Sequence, residues 1–228
     1  MEFEDQFSRL AVLLGDRSRS VMLWNLLDGR AYTATELSHC ADISAQSASN
    51  HLSQLISSGI LKVEKQGRHR YYRFANAGMA RVIESMAGLL PPNQKNLEKE
   101  KVEPEGFRYA RTCYDHLAGC ISVKITNSLL KKRIIKSTDN NYEVSRTGIK
   151  WFLSVGIQID EVKLQKRSFA YPCLDWSERN DHLAGALGAA LLKMMLHEDW
   201  VRRNKNSRQV IITAKGKAEL RTKLDIEL

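Results

Sequence analysis

The sequence predicts a mainly α chain with small β-hairpins, an α+β architecture of two domains joined by a linker. Three observations predict it. A helix with a polar outer face runs into a glycine-tipped basic hairpin between Ser44 and Phe74. A polar, charged stretch with prolines at both ends, PPNQKNLEKEKVEPEG, then occupies residues 91–106. Beyond it the pentapeptide Asp-His-Leu-Ala-Gly occurs twice, at residues 115–119 and 181–185. The expected division is therefore a domain over residues 1–90, a linker over 91–106, and a second domain over 107–228, whose two halves are about 107–170 and 171–228.

In the first domain, residues 3–14 carry apolar side chains at Phe3, Phe7, Leu10, Val12, Leu13 and Leu14, a helical spacing that Gly15-Asp16 interrupts. A second helix follows over residues 16–27 and closes at Asp28-Gly29. An amphipathic helix ahead of a small winged domain has nothing else to bury against, so the first helix is expected to be a dimer element. Residues 35–40 form a short helix, and residues 41–43 a tight turn.

Residues 44–59, SAQSASNHLSQLISSG, open on a serine able to cap a helix and close on a glycine stop. Ala48, Leu52, Leu55 and Ile56 recur as a buried stripe. Ser44, Gln46, Ser47, Ser49, Asn50, His51 and Gln54 are left to read or approach base edges, because amides and hydroxyls offer both donors and acceptors. Residues 60–74, ILKVEKQGRHRYYRF, alternate as strands on either side of Gln66-Gly67. Arg68, His69 and Arg70 lie just past the tip, where a wing would hold the duplex backbone. A polar-faced helix followed by a basic hairpin is a winged helix-turn-helix arrangement, and double-stranded DNA is its expected partner.

The same residues carry a resemblance. Leu13-Leu14-Gly15-Asp16-Arg17-Ser18-Arg19, Thr35-Glu36-Leu37, Ile43-Ser44, Ser49-Asn50-His51-Leu52 with Leu55, Gly59-Ile60-Leu61, Gly67-Arg68 and Tyr71-Tyr72 follow one another in order. This stretch, about residues 3–90, resembles the ArsR/SmtB family of bacterial transcriptional repressors. The resemblance implies a homodimer that binds an operator and releases it when an inducer arrives. The chain departs from the family where metals are sensed. Arsenic sensors of this kind carry paired cysteines near the short helix, whereas Cys40 stands alone in TELSHCADIS. Zinc sensors place ligands on the last helix, whereas residues 75–90 hold neither His nor Cys. Cys40 is then expected to be a small buried hydrophobe.

In the second domain a cysteine precedes each copy of the pentapeptide, Cys113 and Cys173. An amphipathic helix is expected after each (residues 117–132 and 183–197), then a basic hairpin (133–144 and 200–213), then a helix opened by Thr147-Gly148 or Lys215-Gly216. These are two diverged helix-hairpin-helix units, winged-helix-like, and residues 199–220 resemble the wing and following helix of MarR-type regulators. Small residues such as Gly119, Ser122, Gly185 and Gly188 suggest that the two amphipathic helices pack on each other. Their starts would bring Cys113, Asp115 and His116 towards Cys173, Asp175, Asp181 and His182. That S/N/O set suits a borderline-soft metal such as zinc, or a thiol pair that responds to oxidation. Two other readings stay open. The aspartates are helix caps and the cysteines packing groups, or Trp176, Glu178 and Arg179 serve a small organic effector.

Composition adds bounds. The 228 residues carry a net charge of +9 and 43% hydrophobic residues, enough for ordinary cores. Lys131, Lys132 and Arg133, and Arg202, Arg203, Lys205 and Arg208, concentrate the positive charge. Such hairpins either are solvated or add phosphate contacts, which would suit an architectural or bridging DNA protein without an inducer. The opening MEFEDQF is acidic where a secretory leader would be basic, and no apolar run is long enough to span a bilayer, so the expectation is a cytoplasmic protein without membrane contact. The four cysteines have no CxxC spacing, so free thiols are expected. A phosphate-binding glycine loop, a nucleophile elbow and HExxH are all missing, which argues against an enzyme.

Overall fold

The computed structural model describes residues 2–89, 106–204 and 207–228. The chain divides into two compact units, Met1–Met86 and Ala87–Leu228. The expected linker falls, apart from Gly106, outside the described residues, as does Lys205.

The first unit opens with α1 (Phe3–Gly15), which buries none of its residues, and α2 (Arg17–Leu26), capped by the Asp16 carboxylate accepting from the Arg19 N–H at 2.9 Å. A two-residue strand, β1 (Tyr32–Thr33), leads into α3 (Ala34–Ala41). Thr33 and Glu36 form a reciprocal capping box there, which satisfies two backbone donors at once. Asp42 turns the chain with a left-handed φ of 53°, and Ser44 caps α4 (Ala45–Ser57). Strands β2 (Leu61–Gln66) and β3 (His69–Phe74) form the hairpin, with Leu61 opposite Phe74 and Gln66 opposite His69. β1 adds to the outer edge of β3 through Tyr32 and Tyr72, so the sheet order is β1-β3-β2. The sequence did not announce β1, because two residues are too few to show a period of two. Helix α5 (Ala77–Gly88) follows. Met22, Leu23, Leu26, Leu37, Leu52, Leu55, Leu61 and Phe74 fill the core, each leucine contributing about 1.5–3 kcal/mol. Ile56 is only half-buried. Cys40 is exposed and not a core residue, because α3 turns Leu37, Ser38 and Ala41 inward.

The second unit runs β4 (Arg111–Cys113), β5 (His116–Ala118), α6 (Cys120–Lys131), β6 (Ile135–Ser137), β7 (Tyr142–Val144), α7 (Arg146–Ser154) and α8 (Ile159–Lys163). It then repeats the pattern as β8 (Tyr171–Leu174), β9 (Asp181–Ala184), α9 (Gly185–His197), β10 (Val201–Arg203), β11 (Val210–Ile212) and α10 (Ala214–Leu224). One apolar cluster joins both halves, with Leu117, Ile121 and Leu129 alongside Leu183, Leu187 and Leu192.

The structure corrects two expectations. Asp-His-Leu-Ala-Gly is not the start of a helix. It is the second strand of a hairpin ending in a glycine, at φ 90° for Gly119 and 86° for Gly185. A Cβ at either glycine would come within 2.8 Å of a backbone carbonyl of the preceding segment, so only glycine lets the strand turn into the helix. The helices therefore begin at Cys120 and Gly185 rather than at Leu117 and Leu183, and Asp115 and Asp181 cap neither. The helices also do not chiefly pack on each other. α6 lies against β9 and α9 against β5, each half covering the other's strand. The small residues make room for strands. A Cβ on Gly188 would sit 2.5 Å from the Leu183 carbonyl and 3.3 Å from the His116 Cβ.

Candidate nucleic-acid interface and Cys-His cluster

Helix α4 buries Ala48, Leu52 and Leu55 and leaves Ser44, Gln46, Ser49, Asn50 and Gln54 exposed, with Ser47 and His51 half-covered. Ser44 is occupied as the cap, accepting from the Ser47 N–H at 3.1 Å and donating to the Ser47 Oγ at 3.0 Å. Gln46 and Asn50 touch through their amides at 3.5 Å, one turn apart on the outer face.

Sequence reasoning missed Arg19, the residue that sets where this helix sits. Its guanidinium is nearly buried, at 7% exposure. It donates from Nε to the Leu13 carbonyl at 2.7 Å and from Nη2 to the Val12 carbonyl at 3.0 Å, satisfying the open end of α1. Its Nη1 donates to Gln54 Oε1 at 3.0 Å and lies 3.2 Å from His51 Nδ1. His51 and Gln54 thus use polar atoms to tie α4 to α1 and α2. A cation on the same helix face as Met22 and Leu23 was the available signal.

In the hairpin, Gly67 takes a φ of 59° at the first of two turn positions, a conformation that glycine adopts without a Cβ clash. Arg68, His69 and Arg70 are exposed, with Arg68 Nε 3.4 Å from His69 Nε2. The hairpin's acid, Glu64, is engaged midway along the strands by Lys62 at 3.1 Å and Arg73 at 3.5 Å. Both cations hold its carboxyl below the usual range. The tip therefore keeps its positive charge.

In the second unit, four of the seven expected residues converge. The ligand atoms of Cys113, His116, Cys173 and His182 all lie within 4.8 Å of one another. Strand register does this. Cys113 pairs directly opposite His116 in β4-β5, and Cys173 opposite His182 in β8-β9. Directly opposed residues in an antiparallel ladder bring their side chains together on one face, and the contact of β5 with β9 joins the two pairs. The histidine Nε2 atoms are 3.1 Å apart. Cys113 and both histidines are buried, while Cys173 is partly exposed.

Asp115 and Asp175 stand behind the histidines. Asp115 Oδ1 lies 3.5 Å from His116 Nδ1 and is itself held by Arg167, whose Nη2 reaches the same oxygen at 3.3 Å. Asp175 Oδ2 lies 3.4 Å from His182 Nδ1, which has no hydrogen-bond partner among the described residues. Asp175 accepts from Arg111 Nη2 at 2.7 Å, the Gly119 N–H at 2.7 Å, and the Ser177 N–H at 3.0 Å. Asp181 is exposed and opposite Leu174, outside the cluster. The two halves differ here because their hairpin loops differ in length. The tight turn at Tyr114-Asp115 keeps Asp115 beside its histidine. The loop from Asp175 to Asn180 folds back, so Asp175 does for His182 what Asp115 does for His116.

Charge in the cluster is strongly polarised. Burial pushes the Asp175 carboxyl up, but Arg111, His182 and the Gly119 N–H outweigh it and hold it far below the usual carboxylate range. Burial likewise opposes the charged form of His116, yet Asp115 and Cys173 raise it to about 9. Hydrogen bonding with Cys113 holds the Cys173 thiol well below its ordinary value, against its burial and with help from both histidines. The set can hold a thiolate, and with it a cation.

Comparison with known proteins gives the family. No protein-family model matches the chain. It is 42% identical over 221 residues to the uncharacterized HTH-type transcriptional regulator YdfF of Bacillus subtilis (strain 168), covering 97% of this chain and 98% of that protein. Among solved structures it is similar to the homodimeric winged helix-turn-helix DNA-binding domain Mb0332 of Mycobacterium bovis, at 25% identity, TM-score 0.34, and 36% of this chain against 76% of that one. HlyU of Vibrio cholerae is 24% identical, with a TM-score of 0.34 over 38% of this chain and 94% of its own. The repressor BigR of Xylella fastidiosa is 21% identical, with a TM-score of 0.35 over 40% of this chain and 99% of its own. On the near-full-length identity to the Bacillus protein, this chain belongs to the HTH-type transcriptional regulators, DNA-binding proteins and not enzymes.

Proposed function

We propose that the protein is a homodimeric repressor whose operator binding is set by an effector held in its second unit. The observation that carries the DNA-binding reading is the pairing, within one unit, of an anchored helix and a basic tip. Gln46, Ser49 and Asn50 face outward from α4, and Arg68, His69 and Arg70 face outward from the wing. In this reading Gln46, Ser47, Ser49 and Asn50 meet base edges in a major groove. Ser44, His51 and Gln54 fix the helix at its entry and along its side, and the wing holds flanking phosphates.

The test is footprinting and titration on the gene's own upstream DNA. Arg68→Ala with Arg70→Ala should weaken binding to every sequence and lower the salt slope by about 1.8, near 0.9 for each phosphate that an arginine no longer neutralises. An unchanged slope would remove the wing from the interface. A footprint with no preferred sequence would favour the architectural reading, which the concentrated charge at Lys131, Lys132 and Arg133 supports.

Dimerisation rests on α1. Phe3 is 79% exposed, Phe7 65% and Val12 68%, and a groove between this helix and Gln54, Ser57 and Ser58 lies open. A contiguous apolar face of this kind needs a partner, and a second copy of the same helix is self-complementary to it. Phe3→Glu with Phe7→Glu should convert a dimer into a monomer in sedimentation velocity. A wild type that sediments as a monomer at tens of micromolar would defeat this part.

The second unit is the regulatory one in this proposal, built from its two winged-helix-like halves. The effector is a metal ion, an oxidant acting on thiols, or a small molecule, and it acts at or near Cys113, Asp115, His116, Cys173, Asp175 and His182.

A further inference from the structure

The geometry points to a closed, four-coordinate centre for one zinc-class divalent ion, bound by the sulfurs of Cys113 and Cys173 and the Nε2 atoms of His116 and His182. This deepens the effector reading above by naming the ligand class, and it is tested separately from DNA binding.

Ligand orientation is the first argument. Each histidine turns Nδ1 to a carboxylate, Asp115 at 3.5 Å and Asp175 at 3.4 Å. A carboxylate beside Nδ1 favours the tautomer that carries its proton there and turns the Nε2 lone pair towards a metal. Both lone pairs then point into one space with the nitrogens 3.1 Å apart. Without a metal one Nε2–H donates to the other across that gap; with one, the ion takes the place of that proton between the two nitrogens. Tetrahedral zinc with bonds of about 2.0–2.1 Å would set two nitrogens about 3.3 Å apart, close to the spacing observed.

Charge is the second argument. Asp115 is matched by Arg167 and the fully buried Asp175 by the fully buried Arg111, so the carboxylates are already balanced. The four ligands must therefore form a nearly neutral group to remain buried. A divalent ion with two thiolates and two neutral imidazoles is neutral, and the two displaced thiol protons leave to solvent. A monovalent ion would leave a net negative charge.

Ligand origin is the third argument. Each half supplies one cysteine and one histidine from one hairpin, so the ion would pin β5 and β9 together at the middle of the unit.

The experiment uses the full chain, purified under reducing conditions without added metal. Metal analysis should find one zinc per chain that survives dialysis. Exchange with cobalt should give the intense d–d absorption of a tetrahedral ion together with sulfur-to-cobalt charge transfer. Cys173→Ser and His182→Gln should each abolish stable binding. Asp115→Asn should weaken zinc by about 10–100-fold while leaving four ligands in place. Asp181→Asn, outside the cluster, should bind like the wild type. Wild-type protein that takes up neither zinc nor cobalt, or that shows an octahedral cobalt spectrum, would overturn the proposal. These readouts need no variant to fold. Footprinting on the same samples separates the two readings. A protein that takes up no metal yet footprints sinks the metal centre alone, and a protein that loads zinc but footprints neither with it nor after its removal sinks the operator reading alone.

Discussion

Replacing Arg111 by methionine is expected to remove about 3–5 kcal/mol from the stability of the second unit, the usual consequence of leaving one partner of a buried ion pair unmatched. Arg111 and Asp175 both have fully buried side chains, and their closest approach is 2.7 Å. The guanidinium also donates to Ser177 Oγ at 3.0 Å and lies over the Trp176 ring at 4.4 Å. Methionine fills similar volume but supplies no charge, so Asp175 keeps only neutral donors, the N–H groups of Gly119, Ser177 and Glu178 and the Ser177 hydroxyl. A domain of ordinary stability, about 5–15 kcal/mol, loses a large share of it. Urea unfolding followed by tryptophan fluorescence checks this, with Trp176 beside the altered site.

The same variant carries a pH signature. In the wild type the Asp175 carboxyl is depressed by its partners. Its contribution is therefore present above the unfolded value of about 3.9 and lost as pH falls through the folded one. In Arg111→Met the unpaired carboxyl is pushed the other way, so the penalty is full at neutral pH and shrinks as acid protonates it. The stability gap between wild type and variant should narrow towards pH 4. A gap that is under about 1 kcal/mol at neutral pH, or that does not narrow, would mean that Asp175 is satisfied without Arg111.

These residues show what the sequence could and could not disclose. Helix α4 was legible because its cap, its apolar stripe and its glycine stop agree with one another across thirteen residues. The wing was legible because six alternating positions lie on each side of a glycine turn. The strands of the second unit were not. β4 and β5 are three residues each, too short to display a period of two, and the helical pattern from Cys120 onward extends backward by chance through Leu117. The convergence of Cys113, His116, Cys173 and His182 was anticipated from a repeated pentapeptide, but the reason assigned was wrong. Helix starts do not bring them together; cross-strand register does, and register is a nonlocal property. Arg111 was invisible for a related reason. A cation in sequence looks the same whether its partner is water or a buried carboxylate 64 residues away.

Substituting Gly216 by alanine is expected to cost about 3 kcal/mol or more, although alanine is the better helix former. Gly216 sits three residues past Thr213, the cap of α10, and its N–H donates to the Thr213 Oγ1 at 2.9 Å. A Cβ there would lie 2.0 Å from the Trp200 carbonyl oxygen and 2.8 Å from its carbon. That carbonyl cannot retreat, because it accepts from the Thr213 N–H at 3.0 Å and the Thr213 hydroxyl at 3.1 Å. The clash therefore falls on backbone at both ends, and relief requires α10 to lift from the β10-β11 hairpin, uncovering Leu220 and Leu224. Gly148 repeats the arrangement in the first half, with the Ile134 carbonyl oxygen 2.0 Å from its would-be Cβ and Ser145 as the cap. Gly148→Ala should therefore cost a similar amount. Gly15→Ala is the control, since nothing lies within 4 Å of that position and its φ is not positive. Thermal melts should separate the three, with Gly15→Ala near wild type and the other two well below it. Equal melting of all three would mean that the hairpin and the helix yield to each other, and that the glycine at the third helical position is there for some reason other than close backbone approach.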